Sequence, residues 1–201
     1  PHPLDYDWRF SPKAVEQLLR HCIKASPVNG TIALLGTPSL VQPLANSSYP
    51  CHTVLLDSNY AARSHLKGLG TRVRALTHNL LEDLPPNVFA DTVVLDPPWY
   101  PEHFRSFLWS ASQLCNVNGY IFASLPPIGT RPGIQDEWNK TLASAHLFGL
   151  RLLDLQELSL SYITPPFEKN GFRFEGIPDV STNWRRGNLA IFRKEKRTLA
   201  S

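Results

Sequence analysis

Continuous apolar runs at residues 31–35, 52–56, 91–95, 120–124 and 188–193 read as strands buried on both faces. A short run at 72–76 and a longer one at 150–158 complete the strand set. Between them, apolar residues recur at helical spacing. Ser11 and Pro12 open a helix, with Ser as N-cap and Pro in the first turn. Val15, Leu18, Leu19, Cys22 and Ile23 share its apolar face. Residues 27–30 read as a turn, 39–45 as a short helix, and 60–66 as another, stopped by Gly68 and Gly70. Pro101 starts a helix with Phe104, Phe107, Leu108, Ala111, Leu114 and Cys115 on one face, and residues 116–119 cap it. Residues 125–132 are a Pro/Gly-rich loop, and 134–148 a further helix. Segment 159–187 carries prolines and aromatics and is too long for an idle connector.

This alternation predicts an α/β fold: a Rossmann-like, doubly wound, mostly parallel sheet with helices on both faces. The 201 residues suit one domain. It divides into an N-terminal helical segment (1–29), a cofactor-binding and catalytic core (30–158), a substrate-reading segment (159–187), and a last strand with a basic tail (188–201). Net charge is +3, which permits an anionic partner without requiring one. Much of the positive charge lies late. Lys194, Lys196 and Arg197 read as a solvated tail, whereas Arg185 and Arg186 stand beside Trp184 and just before a strand. Cys22, Cys51 and Cys115 are odd in number and widely spaced. With no Cys-x-x-Cys or His-x-x-x-His pair, neither a metal site nor a disulfide framework is expected. No apolar run is long enough to span a bilayer and no signal peptide is visible, so the expectation is a reducing cytoplasm and no membrane. The chain begins with Pro and contains no Met, which predicts a processed protein or a segment of a longer one.

The densest chemistry is Asp96-Pro97-Pro98-Trp99, directly after the fourth strand. The carboxyl edge of such a sheet is where doubly wound folds bind ligands. An exocyclic amino group on a ring is a poor nucleophile because its lone pair is delocalised. Methyl transfer to it requires the nitrogen to move toward tetrahedral geometry, and acceptors aimed at its two N–H bonds favour that change. The Asp96 carboxylate supplies one acceptor and the Pro97 carbonyl the other. Two prolines, Pro97 and Pro98, fix φ and offer no competing donors. That is preorganisation of position and electrostatics. Trp99 is placed to stack on the ring, and Tyr100 follows it on the substrate side. The competing reading is a plain strand-to-helix turn with Trp99 in the core.

Three strand ends offer a cofactor site. Gly36-Thr37-Pro38 follows the first strand, where backbone must approach a ligand closely. A dinucleotide fingerprint would need G-x-G-x-x-G. Only Gly36 is present, so a pyrophosphate cradle is not supported; a nucleoside without a pyrophosphate needs fewer glycines, and the competing reading is a plain turn. Asp57 and Ser58 end the second strand, where a carboxylate can accept from both ribose hydroxyls, or else cap the next helix. Asn79 and Leu80 follow the third strand, where a short polar side chain can hold an adenine amino group, or else form a surface turn. In 159–187, aromatics including Tyr162, Phe172 and Phe174 interleave with basic residues. Trp184, Arg185 and Arg186 are its candidate substrate-binding residues, suited to stacking bases and holding phosphates.

Asp96 to Trp99 resembles the [Asn/Asp]-Pro-Pro-aromatic signature of class I S-adenosylmethionine-dependent methyltransferases that modify amines. Its Trp form is similar to that of adenine-N6 methyltransferases acting on DNA or RNA. The run 32–39 resembles the altered first motif of the N6-adenine-methyltransferase-like family, some of whose members methylate protein lysine. A related Asp-Pro-Pro pattern occurs in branched-chain polyamine synthases, which transfer aminopropyl groups. Phe10-Ser11-Pro12-Lys13 resembles the N-terminal cofactor-side motif of DNA amino-methyltransferases, giving the gamma-type order. The resemblance covers about residues 30 to 125. It implies S-adenosylmethionine as cofactor, with Gly36, Thr37, Pro38, Asp57, Ser58, Asn79 and Leu80 on the cofactor side and Asp96 to Trp99 as catalytic residues. It also implies nucleic acid as substrate, with a partner subunit for target reading because little chain remains for a recognition domain. Two alternatives stand beside this one: transfer to protein lysine or a small amine, and a non-catalytic binding subunit.

Overall fold

Residues buried on both faces make the centre of the sheet. The structure, a computed structural model, describes residues 8–58, 68–81, 88–177 and 184–197. Among these, the strands are β1 (Arg9–Phe10), β2 (Thr31–Leu35), β3 (His52–Asp57), β4 (Val73–Thr77), β5 (Ala90–Leu95), β6 (Cys115–Leu125), β7 (Leu150–Ile163) and β8 (Arg186–Lys194). The helices are α1 (Pro12–Ala25), α2 (Val41–Ala45), α3 (Pro101–Leu114), α4 (Ile134–Leu147) and α5 (Pro166–Phe174), with a 3-10 turn at Pro38–Leu40. One sheet runs in the order β1-β7-β8-β6-β5-β2-β3-β4. The β4-β3-β2-β5-β6 half is parallel, and β8, β7 and β1 add antiparallel pairs.

Alternation along β2 shows how the layers form. Ile32 and Leu34 face one side and pack with Ala14, Leu18 and Cys22 of α1 and with Val41 and Leu44 of α2. Ala33 and Leu35 face the other side and pack with Phe104, Phe107 and Leu108 of α3 and with Trp138 of α4. The result is a Rossmann-like sheet with helices on both faces. Leu34 is completely buried between β3 and β5. Leu34→Ala is expected to cost about 3 kcal/mol, read as a lower urea midpoint at unchanged slope.

Ser11 caps α1, its Oγ accepting from the Ala14 N–H at 3.3 Å. The chain reverses direction of winding between β2 and β5: β3 and β4 extend from one side of β2, β5 and β6 from the other. Backbone hydrogen bonds stitch the strand ends across this point. Asp96 N–H donates to the Leu35 carbonyl (3.2 Å), Gly36 N–H to Leu56 (3.0 Å), and His78 N–H to Asp57 (3.1 Å). Four strands therefore deliver their last residues to one crevice.

Several boundaries differ from the sequence expectation, each for a physical reason. β1 is two residues long, too short for any periodicity. Residues 116–119, read as a cap and turn, belong to β6, where the β5–β6 register shifts between Ala90 and Thr92 and Asn118 takes φ 69°. Cys115 is not on the helix but is the extended C-cap of α3, still buried. β7 continues past residue 158 to Ile163, through a register shift against β8 and a positive φ at Leu158. Among its described residues, segment 159–187 thus holds the end of β7, α5 and the start of β8. Lys194 does not belong to a solvated tail. It ends β8 with 2% exposure, and its Nζ donates to the Phe148 carbonyl at 2.8 Å, at the C-terminal end of α4. The expected helix at 60–66 lies outside the described residues. Among the described residues, no helix is long and apolar enough to cross a membrane, and no group of three or more His, Cys, Asp or Glu residues is placed to hold a metal. All three cysteines are free and buried, and burial pushes the Cys115 thiol up to about 12.

Candidate active site

The stitched strand ends open into a cavity of about 590 Å³. Gly36, Asp57, Ser58, Asn79, Leu80, Asp96, Pro97, Pro98, Trp99, Tyr100 and Arg185 line it. Thr37 and Pro38 do not. Thr37 is buried as the N-cap of the 3-10 turn, which Pro38 begins. Trp184 and Arg186 also lie outside the lining. Trp184 is exposed and donates Nε1–H to Glu168 of α5 at 3.1 Å, while Arg186 is the first residue of β8, opposite Ser161.

The Asp-Pro-Pro turn has a defined closure. Tyr100 N–H donates to the Pro98 carbonyl at 2.7 Å, which leaves the Pro97 carbonyl out of the turn's own bond. Asp96 stands at the cavity wall, and its Oδ1 accepts from the Tyr162 hydroxyl at 2.7 Å. The Ser124 hydroxyl lies 2.5 Å from the same Tyr162 oxygen. Burial pushes the Asp96 carboxyl up to about 6, against the opposing pull of the Tyr162 and Ser124 hydrogen bonds and the charges of Arg185 and Arg9. Burial and the neighbouring Asp96 charge raise Tyr162 well above the usual phenol range. His103 is lowered, mainly by burial.

The aromatic wall is not bare. The Arg185 guanidinium carbon lies 4.0 Å from the Trp99 ring centroid and 4.3 Å from that of Trp8. Trp99 also meets Tyr162 edge-on at 6.0 Å. Trp99 is therefore a platform carrying a guanidinium, rather than an isolated indole. On another side, the loop before α4 contributes Thr130 and Arg131. Trp138 Nε1–H fixes that loop by donating to the Pro126 carbonyl at 3.0 Å, and Arg131 pairs with Glu137.

The donor end shows what it could hold. Gly36 takes φ +63°, and a Cβ there would meet the Phe107 ring at 3.3 Å and the Asp96 carbonyl at 3.5 Å. The absence of a side chain is what keeps the β2 turn open to the cavity. Beside it, Asp57 can accept from a diol. Among the described residues, two buried polar atoms, Thr37 Oγ1 and His78 Nε2, have no hydrogen-bond partner, and His78 lines the cavity. These features fit a nucleoside without pyrophosphate.

Sequence reasoning did not reach Trp8, Arg9, His78, His103, Phe107, Thr130 or Arg131 as lining residues. It grouped Tyr162 with the late aromatics and did not link it to Asp96. One signal was readable for this group: Trp8 and Arg9 precede the capped helix in an aromatic-basic-aromatic run, Trp8-Arg9-Phe10.

No protein-family model matches this sequence, and no curated protein does. Solved structures do. A branched-chain polyamine synthase mutein from Thermus thermophilus, in complex with N4-aminopropylspermidine and 5'-methylthioadenosine, superposes with a TM-score of 0.81 at 14% identity, over 100% of this chain and 61% of that one. The present chain thus spans about three fifths of that enzyme's length. A TehB-like S-adenosylmethionine-dependent methyltransferase from Corynebacterium glutamicum gives 0.61 at 14% identity, over 92% of this chain and 89% of that one. A candidate RNA methyltransferase from Pyrococcus horikoshii gives 0.61 at 14% identity, over 94% and 87%. The fold is the Rossmann-like fold of these methyltransferases. At such identities, the fold is what is shared.

Proposed function

We propose that this chain is an S-adenosylmethionine-dependent methyltransferase acting on an exocyclic amino group, with adenine N6 in nucleic acid as the preferred acceptor. One observation carries the reading: the Asp96-Pro97-Pro98-Trp99 turn lines the same cavity as Gly36 and Asp57, across the β2/β5 switch point. The bound donor supplies an electrophilic methyl carbon on a sulfonium sulfur. Gly36 and Asp57 would hold its nucleoside, with His78 Nε2 and Asn79 within the same wall. Asp96 and the Pro97 carbonyl accept from the two N–H bonds of the acceptor. The donor would give up its methyl carbon and keep the carbon–sulfur electron pair, and Asp96 would take the N–H proton that the acceptor nitrogen sheds. Trp99 would receive the acceptor ring once the Arg185 guanidinium, which covers its face in this structure, moves aside toward the acceptor's phosphate. A base in a duplex must first be flipped out or presented single-stranded.

A second reading rests on the polyamine synthase likeness: a flexible polyamine as acceptor. A polycation needs an acidic lining. Glu137 neutralises Arg131, which leaves Arg9 and Arg185 against Asp57 and Asp96: a balanced lining, without the acidic excess a polycation needs and open to a neutral ring amine. Transfer to protein lysine meets the same balanced lining.

Calorimetry is expected to show S-adenosylmethionine binding at micromolar strength, about −8 kcal/mol. Labelled methyl should then appear in the nucleic-acid fraction rather than in protein or polyamine. A chain that binds no donor would be a non-catalytic subunit. Label in the polyamine fraction alone would transfer the case to the second reading.

A further inference from the structure

Tyr162 is fixed more tightly than a core tyrosine requires. Its backbone N–H donates to the Arg185 carbonyl at 3.0 Å, and its Cα pairs with Phe10 of β1. Its ring lies 5.0 Å from Phe10 and meets Trp8 and Trp99 edge-on at 6.2 and 6.0 Å. The residue is 2% exposed. Its one hydroxyl proton goes to Asp96 Oδ1, and the Ser124 hydroxyl, 2.5 Å from the Tyr162 oxygen, has its one proton to share between that oxygen and the Asp96 carboxylate. Gly187 leaves just enough room: a Cβ there would stand 3.1 Å from Ser124 Oγ and 3.4 Å from the Tyr162 ring. Side chains from β1, β6 and β7 thus gather around the one hydroxyl that donates to Asp96 Oδ1.

We propose that Tyr162, itself held by Ser124, is a positioning residue that fixes the Asp96 carboxylate by engaging Oδ1 and leaving Oδ2 for the acceptor amine. The inference rests on the reading of Asp96 as the group that holds the acceptor. A carboxylate rotates freely about its terminal bond, because that torsion has broad minima. A charge-assisted hydrogen bond from a buried phenol removes the freedom. The groups facing Asp96 are Tyr162 from β7, Ser124 from β6, Arg9 from β1 and Arg185 just before β8. All four favour the carboxylate form, and burial opposes them. Removing the phenol hydroxyl deletes one of the four and lets the carboxyl titrate higher.

Tyr162→Phe keeps the ring and removes only the hydroxyl. It is expected to lower kcat by about 10- to 100-fold while donor affinity stays unchanged, and to move the acid limb of the kcat profile up by about one pH unit. A second readout does not depend on turnover: 13C NMR titration of the aspartate carboxyls, with Asp96 assigned by its absence in Asp96→Asn. Asp96 should titrate about one unit higher in Tyr162→Phe and shift the same way, by less, in Ser124→Ala. If Tyr162→Phe fails to fold, Ser124→Ala carries the test alone. An Asp96 titration unchanged in the variants would overturn the positioning role. Absent methyl transfer in the wild type would instead overturn the functional reading, and the titration would still decide the role of Tyr162.

Discussion

Asp96→Asn is expected to abolish methyl transfer while making the protein more stable near neutral pH. The amide keeps the size of the side chain and can still accept from Tyr162. It no longer offers a negative oxygen to the acceptor amine, and it cannot take the proton released. Losses of about a thousandfold or more follow when an electrostatic and proton-accepting group is removed. The stability change has the opposite sign. The folded carboxyl titrates at about 6, against an ordinary value of 3.8. Between those values the native state binds more protons than the unfolded state, so the contribution of this group to stability falls as pH rises. Its stabilising share is complete below pH 3.8 and gone above about 6. At pH 7.5 the wild type holds a desolvated charge, and the amide should recover about 1–3 kcal/mol. Urea unfolding at pH 7.5 and at pH 3.5 checks this: the advantage of the variant should shrink in acid. The rate of the wild type should likewise fall as pH drops through about 6, the value to which burial raises Asp96. A wild type that outlasts the variant at pH 7.5 would show that the carboxylate is not held at a cost.

Gly36→Val should remove donor binding and destabilise the fold together. The residue takes φ +63°, a conformation hostile to β-branched side chains, and its Cβ would press on the Phe107 ring. The strain and overlap should cost about 2–4 kcal/mol. The added methyl groups also fill the turn between β2 and the cavity, so donor affinity should fall at least about 100-fold, which is roughly 3 kcal/mol. Gly70→Ala separates the two effects. Gly70 also has positive φ, +82°, but a Cβ there has nothing within 4 Å. It should lose about 1–2 kcal/mol of stability, with calorimetric donor affinity unchanged. Equal donor binding by Gly36→Val and the wild type would remove the β2 turn from the cofactor site.

Local pattern carried much of the architecture. Strands β2, β3 and β5 are buried on both faces, so their sequences are apolar runs with few alternatives. Ser11-Pro12 and Pro101 mark helix starts by backbone rules that act within one turn. The residues after those strands, Gly36, Asp57 and Asp96 to Trp99, were also visible in sequence. Each sits at the end of a readable strand, and the topology of such folds brings strand ends together.

What stayed hidden depends on pairings across long stretches of chain. Arg9–Phe10 becomes a strand only because β7 offers it an edge. β7 runs on past Leu158 because its register shift lets Leu160 to Tyr162 pair again with β8 and β1. That extension sets Tyr162 against Asp96, 66 positions away in sequence. It also brings Arg185 between Trp8 and Trp99. By itself the sequence determined the parallel half of the sheet and the carboxylate-bearing turn at its edge, because burial on both faces and proline stiffness act locally. Only the tertiary structure decided which hydroxyl holds that carboxylate and which cation covers the tryptophan beside it. Those partners arrive by antiparallel return of the chain, and nothing local encodes where such a return will align.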